Sequence, residues 1–366
     1  MALSGLFLVG RGFARIFAFR RLYWDDAFAL AAWLMFLATT TIWQEVKDYL
    51  YDDLYVDAGL EKPPPDFEAN SPSGFPSTEA EILELGKILR GREFESLEEA
   101  RDYVMEQLEE GMFEGSGIGE PETPVEQAQE RIYEAYEADD PDLRTALAEE
   151  ALEISSDCAD AYTILAQETA EDAEEAKELY EQGLAAGERA IGEKEFEESK
   201  GHFWGILETR PYMRAKQGLA LCLWDLGERT EAIDHYRQML ELNPNDNQGI
   251  RDLLAESLLE EDRDEELGKL LAAYAEDASA TWVYTRALWL FRNEGATEKA
   301  GQALKEAKKF NPHVPNYLLG GKKLPATVPA LIGMGDEAEA EVYFADCIYG
   351  WLKIPGALDW LRENVR

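Results

Sequence analysis

The side chains most able to do chemistry in this chain are its carboxylates. It carries 75 Asp and Glu against 35 Lys and Arg, a net charge of −40. With carboxylates this abundant, no two of them can be singled out as a general acid and base. There are 3 histidines, His202, His235 and His313. None stands at metal-ligand spacing from a cysteine or a second histidine. His235 falls on an exposed helix face and reads as solvated. Cys158, Cys222 and Cys347 are too few for a disulfide framework in a chain this long, and the first two sit on or beside helical faces as buried thiols. No nucleophile elbow, Walker or dinucleotide motif is present. Gly115-Ser116-Gly117-Ile118-Gly119 resembles a phosphate loop only in its glycines, since no strand precedes it and no lysine follows. The sequence implies no enzyme, no metal and no cofactor. The acidic balance excludes the basic stripe that nucleic acid requires and disfavours anionic lipid. It serves as a solvated, self-repelling surface or as a groove for a basic partner.

Against this acidic background a set of basic and aromatic residues stands out: Tyr212, Lys216, Trp224, Arg251, Tyr284 and Arg286, with Arg210 at the rim. Arginine and aromatic side chains are the types enriched where proteins bind one another, and a guanidinium grips a carboxylate with two bonds. If these seven line one surface, it takes an acidic peptide or a C-terminal carboxylate, with Arg210 and Arg251 as the clamps. The alternative is that both arginines neutralise neighbouring Glu and Asp within the fold.

Positioning these residues is the task of a helical repeat. From Met213 onward the chain reads as two short helices. Gly218, Ala220, Leu223 and Trp224 mark the apolar face of the first, helix A. Gly227 ends it, Thr230 caps the second, helix B, and Ala232, Tyr236, Met239 and Leu240 pack back. Asn243-Pro244 stops the pair. Small residues in helix A, a turn glycine, an alanine opening helix B and a terminal proline form the tetratricopeptide pattern. Pro244 and Pro312 stand 68 residues apart (312 − 244), as do Gly227 and Gly295 (295 − 227). That is twice the ~34-residue period of this repeat. A copy with Glu261-Asp262-Arg263 in place of the turn glycine fills the interval from Asn247 to Ala280. Upstream, Tyr162 to Gly183 and Val125 to Ile154 supply further pairs. The expectation is an all-α fold, a solenoid of about five stacked pairs over 124–319. Residues 320–366 are expected to form helices capping its end, with Gly335-Asp336 opening one helix and Pro355 another.

Between the pairs, Gly187 to Arg210 is an elongated segment containing His202-Phe203-Trp204-Gly205-Ile206. Either Phe203, Trp204 and Ile206 plug the gap it opens, or the segment touches a ligand. Residues 62–123 read as a Pro-rich linker with small accessory helices, one from Thr78 and one behind a capping box at Ser96-Leu97-Glu98-Glu99. Residues 1–61 differ from the rest. Arg11, Arg15, Arg20 and Arg21 precede an uncharged apolar run, Ala27 to Trp43, flanked by tryptophans. This is either a membrane anchor or a vestigial or mis-joined segment. The expected location is membrane-associated or cytoplasmic, with the repeats in the cytosol.

Two family resemblances accompany these readings. The stretch from Arg11 through Trp24-Asp25-Asp26 to Trp43 resembles a fragment of the fungal rhodopsin-like membrane proteins, covering about one helix. Over about Leu143 to Leu361, four stretches resemble the suppressor-of-tumorigenicity protein seven family: AEEALEISSDCADAYTILAQET, Asn311-Pro312-His313-Val314-Pro315 with Tyr317-Leu318-Leu319, the run Gly335 to Ala340, and Pro355 to Leu361. The second resemblance implies a helical-repeat scaffold and brings no catalytic residues with it; the extended surface of stacked helix pairs points to a scaffold that binds a protein or peptide, with a membrane-tethered structural or adaptor spacer as the alternative.

Overall fold

The computed structural model describes residues 123–325 and 332–364, together with 79, 80 and 103. The apolar run Ala27–Trp43, the glycine-rich run at 115–119 and all of the accessory helices except Glu79, Ala80 and Tyr103, which are helical, lie outside the described residues. Among the described residues the chain is helical throughout, with no strand. It divides into two compact units, Met1–Ser155 and Ser156–Arg366.

The first unit presents one antiparallel pair, α1 (Pro124–Glu137) and α2 (Pro141–Ile154). Both helices open on a proline, whose missing N–H is no loss in a first turn. Both are capped by a side-chain oxygen: Thr123 accepts from the Glu126 N–H and Asp140 from the Asp142 N–H.

The second unit stacks successive pairs. α3 (Ala159–Glu168) packs on α4 (Ala173–Ile191), α6 (Arg210–Asp225) on α7 (Arg229–Leu242), α8 (Ile250–Glu260) on α9 (Asp264–Ala273), and α10 (Ala280–Glu294) on α11 (Glu298–Phe310). Each B helix also packs on the next A helix, α4 on α6, α7 on α8 and α9 on α10. This is tetratricopeptide stacking, and it buries one continuous core from Ala166 to Leu361. Close approach is set by small residues. A Cβ on Gly218 of α6 would fall 2.1 Å from the Tyr180 ring of α4.

The A-to-B turns explain the 68-residue spacing. Gly227 (φ 81°) and Gly295 (φ 74°) both follow an A helix at positive φ, but Gly227 lies one residue beyond its cap Leu226 whereas Gly295 is itself the cap, with ψ −161°. Between them Asp262 takes the role of Gly227 at φ 58°. The Arg263 N–H bonds back to the Leu258 carbonyl at 2.9 Å, as the Glu228 N–H does to the Leu223 carbonyl at 2.8 Å. The repeat that lacks a turn glycine therefore keeps the turn, because aspartate tolerates the left-handed region better than most residues. Thr230 does not cap α7. The helix starts one residue earlier, at Arg229, and the Thr230 hydroxyl instead accepts from Arg263 at 2.9 Å.

The elongated segment after α4 forms a short α5 (Glu193–Glu198) and two 3₁₀ turns, Phe203–Gly205 and Leu207–Thr209. Phe203 is fully buried, edge-on to Phe196 and Tyr212. Trp204 and Ile206 are only half-buried, so the plug is Phe203.

After α12 (Val314–Leu318) come α13 (Glu337–Lys353) and α14 (Ala357–Asn364). Asp336 caps α13, accepting from the Glu339 N–H at 2.8 Å. The last helix begins at Ala357, two residues beyond Pro355. α13 does not simply close the end of the stack. It lies along the A helices α8 and α10. Glu339 accepts from the Ala280 N–H at 2.9 Å, the Tyr343 ring sits 5.5 Å from that of Tyr284, and Lys353 pairs with Asp262 at 2.8 Å. Gly350 makes the approach possible: a Cβ there would fall 2.5 Å from Leu259 of α8 and 3.7 Å from Leu288 of α10.

Candidate functional site

The seven residues singled out by type do not come together as one lining. Tyr212 is buried against Phe196 and Phe203. Tyr284 is buried beneath α13 and donates its hydroxyl to the Asn311 carbonyl at 2.6 Å. Trp224 is half-buried under the Arg229 guanidinium, 3.9 Å from its ring centre. Arg286 donates to the Ala275 carbonyl at 3.1 Å. Arg210 donates to the Trp204 carbonyl at 2.9 Å and lies over the Trp204 ring.

Arg251 takes the role of internal neutraliser. Its guanidinium bonds Asp246 and Asp277, each at 2.9 Å, and lies over the Tyr274 and Trp282 rings. Asp246, itself in the left-handed region at φ 48°, accepts the Ile250 and Arg251 N–H groups and so fixes the start of α8. Burial would raise the Asp277 carboxyl, but the Ser279 N–H and Arg251 outweigh it and hold it below the ordinary carboxylate value. A clamp would have to abandon both partners before gripping a ligand.

Lys216 is the least expected placement. It is 3% exposed, turned between α6 and α7. Its ammonium donates to Gln238 Oε1 at 2.8 Å and lies 3.2 Å from His235 Nδ1. Burial pushes the lysine down to about 8 and, with the Lys216 charge, the histidine down to about 4. His235 is therefore half-buried and partnered, not solvated as its sequence position suggested.

Other residues of the A helices are only partly covered. Leu221 is 42% exposed on α6, two turns along the same face from Arg214, which reaches Asp160 of α3. On α8, Asp252 and Glu256 are half-buried one turn apart. Burial raises Asp252 to about 7, with Asp277, Asp246 and Asp346 adding to the shift and Arg251 opposing it. Burial raises Glu256 to about 8, and the charges acting on it, Asp346 and Glu260, are both negative. Asp252 Oδ1 is buried without a hydrogen-bond partner. On its side opposite the buried Cys347, α13 exposes Tyr349 and Leu352. Residue type alone did not point to these positions. The signal available was the spacing of apolar residues along Ala338 to Leu352. Among the described residues no group of three His, Cys, Asp or Glu could hold a metal ion, and no helix is long and apolar enough to cross a membrane.

Residues 121–364 match the family described as "ST7 protein". The chain is 32% identical over 253 residues to the human "Suppressor of tumorigenicity 7 protein-like", covering 63% of this chain and 44% of that protein. It is 30% identical over 251 residues to the Drosophila melanogaster "Protein ST7 homolog", covering 62% and 47%. The chain thus spans less than half the length of these curated relatives. A solved structure, "Crystal structure of YrrB: a TPR protein with an unusual peptide-binding site", is 22% identical with a TM-score of 0.36, covering 56% of this chain and 90% of that one.

Proposed function

The chain belongs to the ST7 protein family, and from that premise we propose that it is a non-enzymatic helical-repeat scaffold whose inner helix face takes a polypeptide partner. One observation carries this reading: that face already accepts a helix. α13 lies along α8 and α10 and seats Tyr343, Gly350 and Trp351 against them. Among the described residues no helix is seated over Leu221 of α6, which stays 42% exposed. Stacked helix pairs offer an extended inner surface for this purpose.

The test is site-specific photo-crosslinking in the full chain. A photoreactive residue at Leu221 should yield a discrete adduct with a polypeptide. The same residue at Glu181, on the exposed side of α4, should not. Equal adducts from both positions, or none from Leu221, would remove the reading.

A further inference from the structure

α11 departs in charge from its counterparts. Among the B helices of the second unit, α4, α7 and α9 each carry more Asp and Glu than Lys and Arg, whereas α11 carries 4 Lys against 2 Glu. Its buried side is Ala300, Leu304 and Ala307. Away from that side Gly301, Lys305 and Lys309 follow one another at intervals of four residues, forming one stripe. Lys305 and Lys309 are exposed, and among the described residues neither forms an ion pair. Lys299, by contrast, holds Glu294 at 2.7 Å and Lys353 holds Asp262 at 2.8 Å. The two carboxylates of α11 do not serve the stripe: Glu306 accepts from Gln302 at 2.9 Å, and Glu298 stands in the first turn.

Two features of the stripe do not serve the fold. Like charges at i and i+4 weaken a helix, and the helix dipole favours Lys309 in the last turn but not Lys305 before it. Gly301 stands inside the helix, where alanine is the better residue. A Cβ there would meet nothing within 4 Å outside the helix, so no neighbour requires its small size. An open glycine lets a second backbone come close. Length and charge then select the ligand. Lys305 and Lys309 are about 6 Å apart along the axis, and alternate side chains of an extended strand fall on one side at ~6.6 Å. Carboxylates at alternate positions reach both ammonium groups while the strand passes over Gly301. The stripe is about 12 Å long, and its attraction is screened within ~8 Å at physiological salt. A nucleic acid or an anionic bilayer extends beyond that range and meets the carboxylates of a −40 chain. A short acidic segment does not.

We propose that the stripe of α11 docks an extended acidic segment of a partner protein. Alternate carboxylates of the segment meet Lys305 and Lys309, and its backbone lies against Gly301. The inference rests on the scaffold reading only in that the ligand is a polypeptide. Leu221 belongs to an A helix and this stripe to a B helix, so a failed Leu221 crosslink and a failed α11 interaction are separate outcomes.

The experiment is fluorescence anisotropy of a labelled peptide of about twelve residues, alternating Glu and Ala, titrated with the full chain. Its counterpart carries Gln for Glu. The glutamate peptide should bind and the glutamine peptide should not. K305Q/K309Q should weaken binding about tenfold, ~1.4 kcal/mol. K194Q/K269Q removes the same charge at exposed positions elsewhere and should weaken it by less than about twofold. Gly301→Leu should weaken binding about fivefold while the melt stays as high or rises, because the side chain enters open space and leucine is the better helix former. Equal loss in the two double variants would reduce the effect to overall charge and overturn the proposal. So would an unchanged affinity in Gly301→Leu, or no binding of the glutamate peptide. Equal or tighter binding of a short DNA duplex or of phosphatidylserine vesicles, lost in K305Q/K309Q, would make the stripe a general polyanion site and overturn it as well.

Discussion

Arg251 shows how a residue chosen for its chemistry turns out to serve the fold. The sequence marks it as a cation in an acidic chain, and the structure places it between a buried carboxylate, Asp246, and a half-buried one, Asp277. Asp246 is 3% exposed and has already used both oxygens on the first turn of α8. Removing the guanidinium leaves that charge, and Asp277 beside it, without a counterion. Breaking one partner of a buried pair is strongly destabilising because the other stays desolvated. Arg251→Ala should therefore lower stability by about 3–5 kcal/mol, read as a fall in urea midpoint. Arg286→Ala, which loses one bond to a carbonyl, should cost about 1 kcal/mol. Comparable losses from the two would mean that Arg251 is not the counterion of this site.

At the scale of elements, the repeat was legible because turns are chemically demanding. Gly227 and Gly295 hold a positive φ, and Asn243-Pro244 stops a helix wherever it falls, so these landmarks keep their register through 68 residues. Asp262 was harder to see, since one aspartate among many carries no mark of its conformation. Which side of a helix is inner was not legible either. α6 is packed by α4 on one side and α7 on the other, so Lys216 is buried and Leu221, on the opposite side, is exposed. Apolar spacing reports that a helix is covered but not by how many neighbours. α13 misled for the same reason: it carries two apolar stripes, and the sequence does not say which is covered. Small residues record these approaches more faithfully. Gly218→Ala would drive a methyl into the Tyr180 ring and force α6 away from α4. It should cost about 1–3 kcal/mol, although alanine is the better helix former. Tyr180→Leu in the same chain should recover part of it. A Gly218→Ala protein as stable as its parent would mean the two helices are not in contact.

Across the whole molecule, 75 acidic groups stand against 35 basic ones and net repulsion acts through the excess; among the described residues many of these carboxylates are exposed. Asp252 and Glu256 differ because they sit half-buried among other negative charges and hold their protons to about 7 and about 8. A carboxyl raised in the folded state binds more protons there than in the unfolded chain, so stability falls as pH rises from the unfolded value toward the folded one. His235 and Lys216 act in the opposite sense. With folded values near 4 and near 8, they make stability rise with pH between about 4 and 6.5 and between about 8 and 10.5. The two effects overlap below pH 6.5 and separate above it. Between about 6.5 and 8 the carboxyls are unopposed by these two groups, and the chain should lose about 1 kcal/mol, within the limit of 1.4 kcal/mol per pH unit for each titrating group. Glu256→Gln removes the carboxyl with the higher folded value and should remove more than half of that fall, while below pH 6.5 the fall from Asp252 and the rise from His235 then nearly cancel. Urea midpoints of the parent and Glu256→Gln proteins at half-unit steps from pH 5 to 9 give the comparison. Parallel curves through pH 6.5–8 would mean that Glu256 is ionised throughout this range.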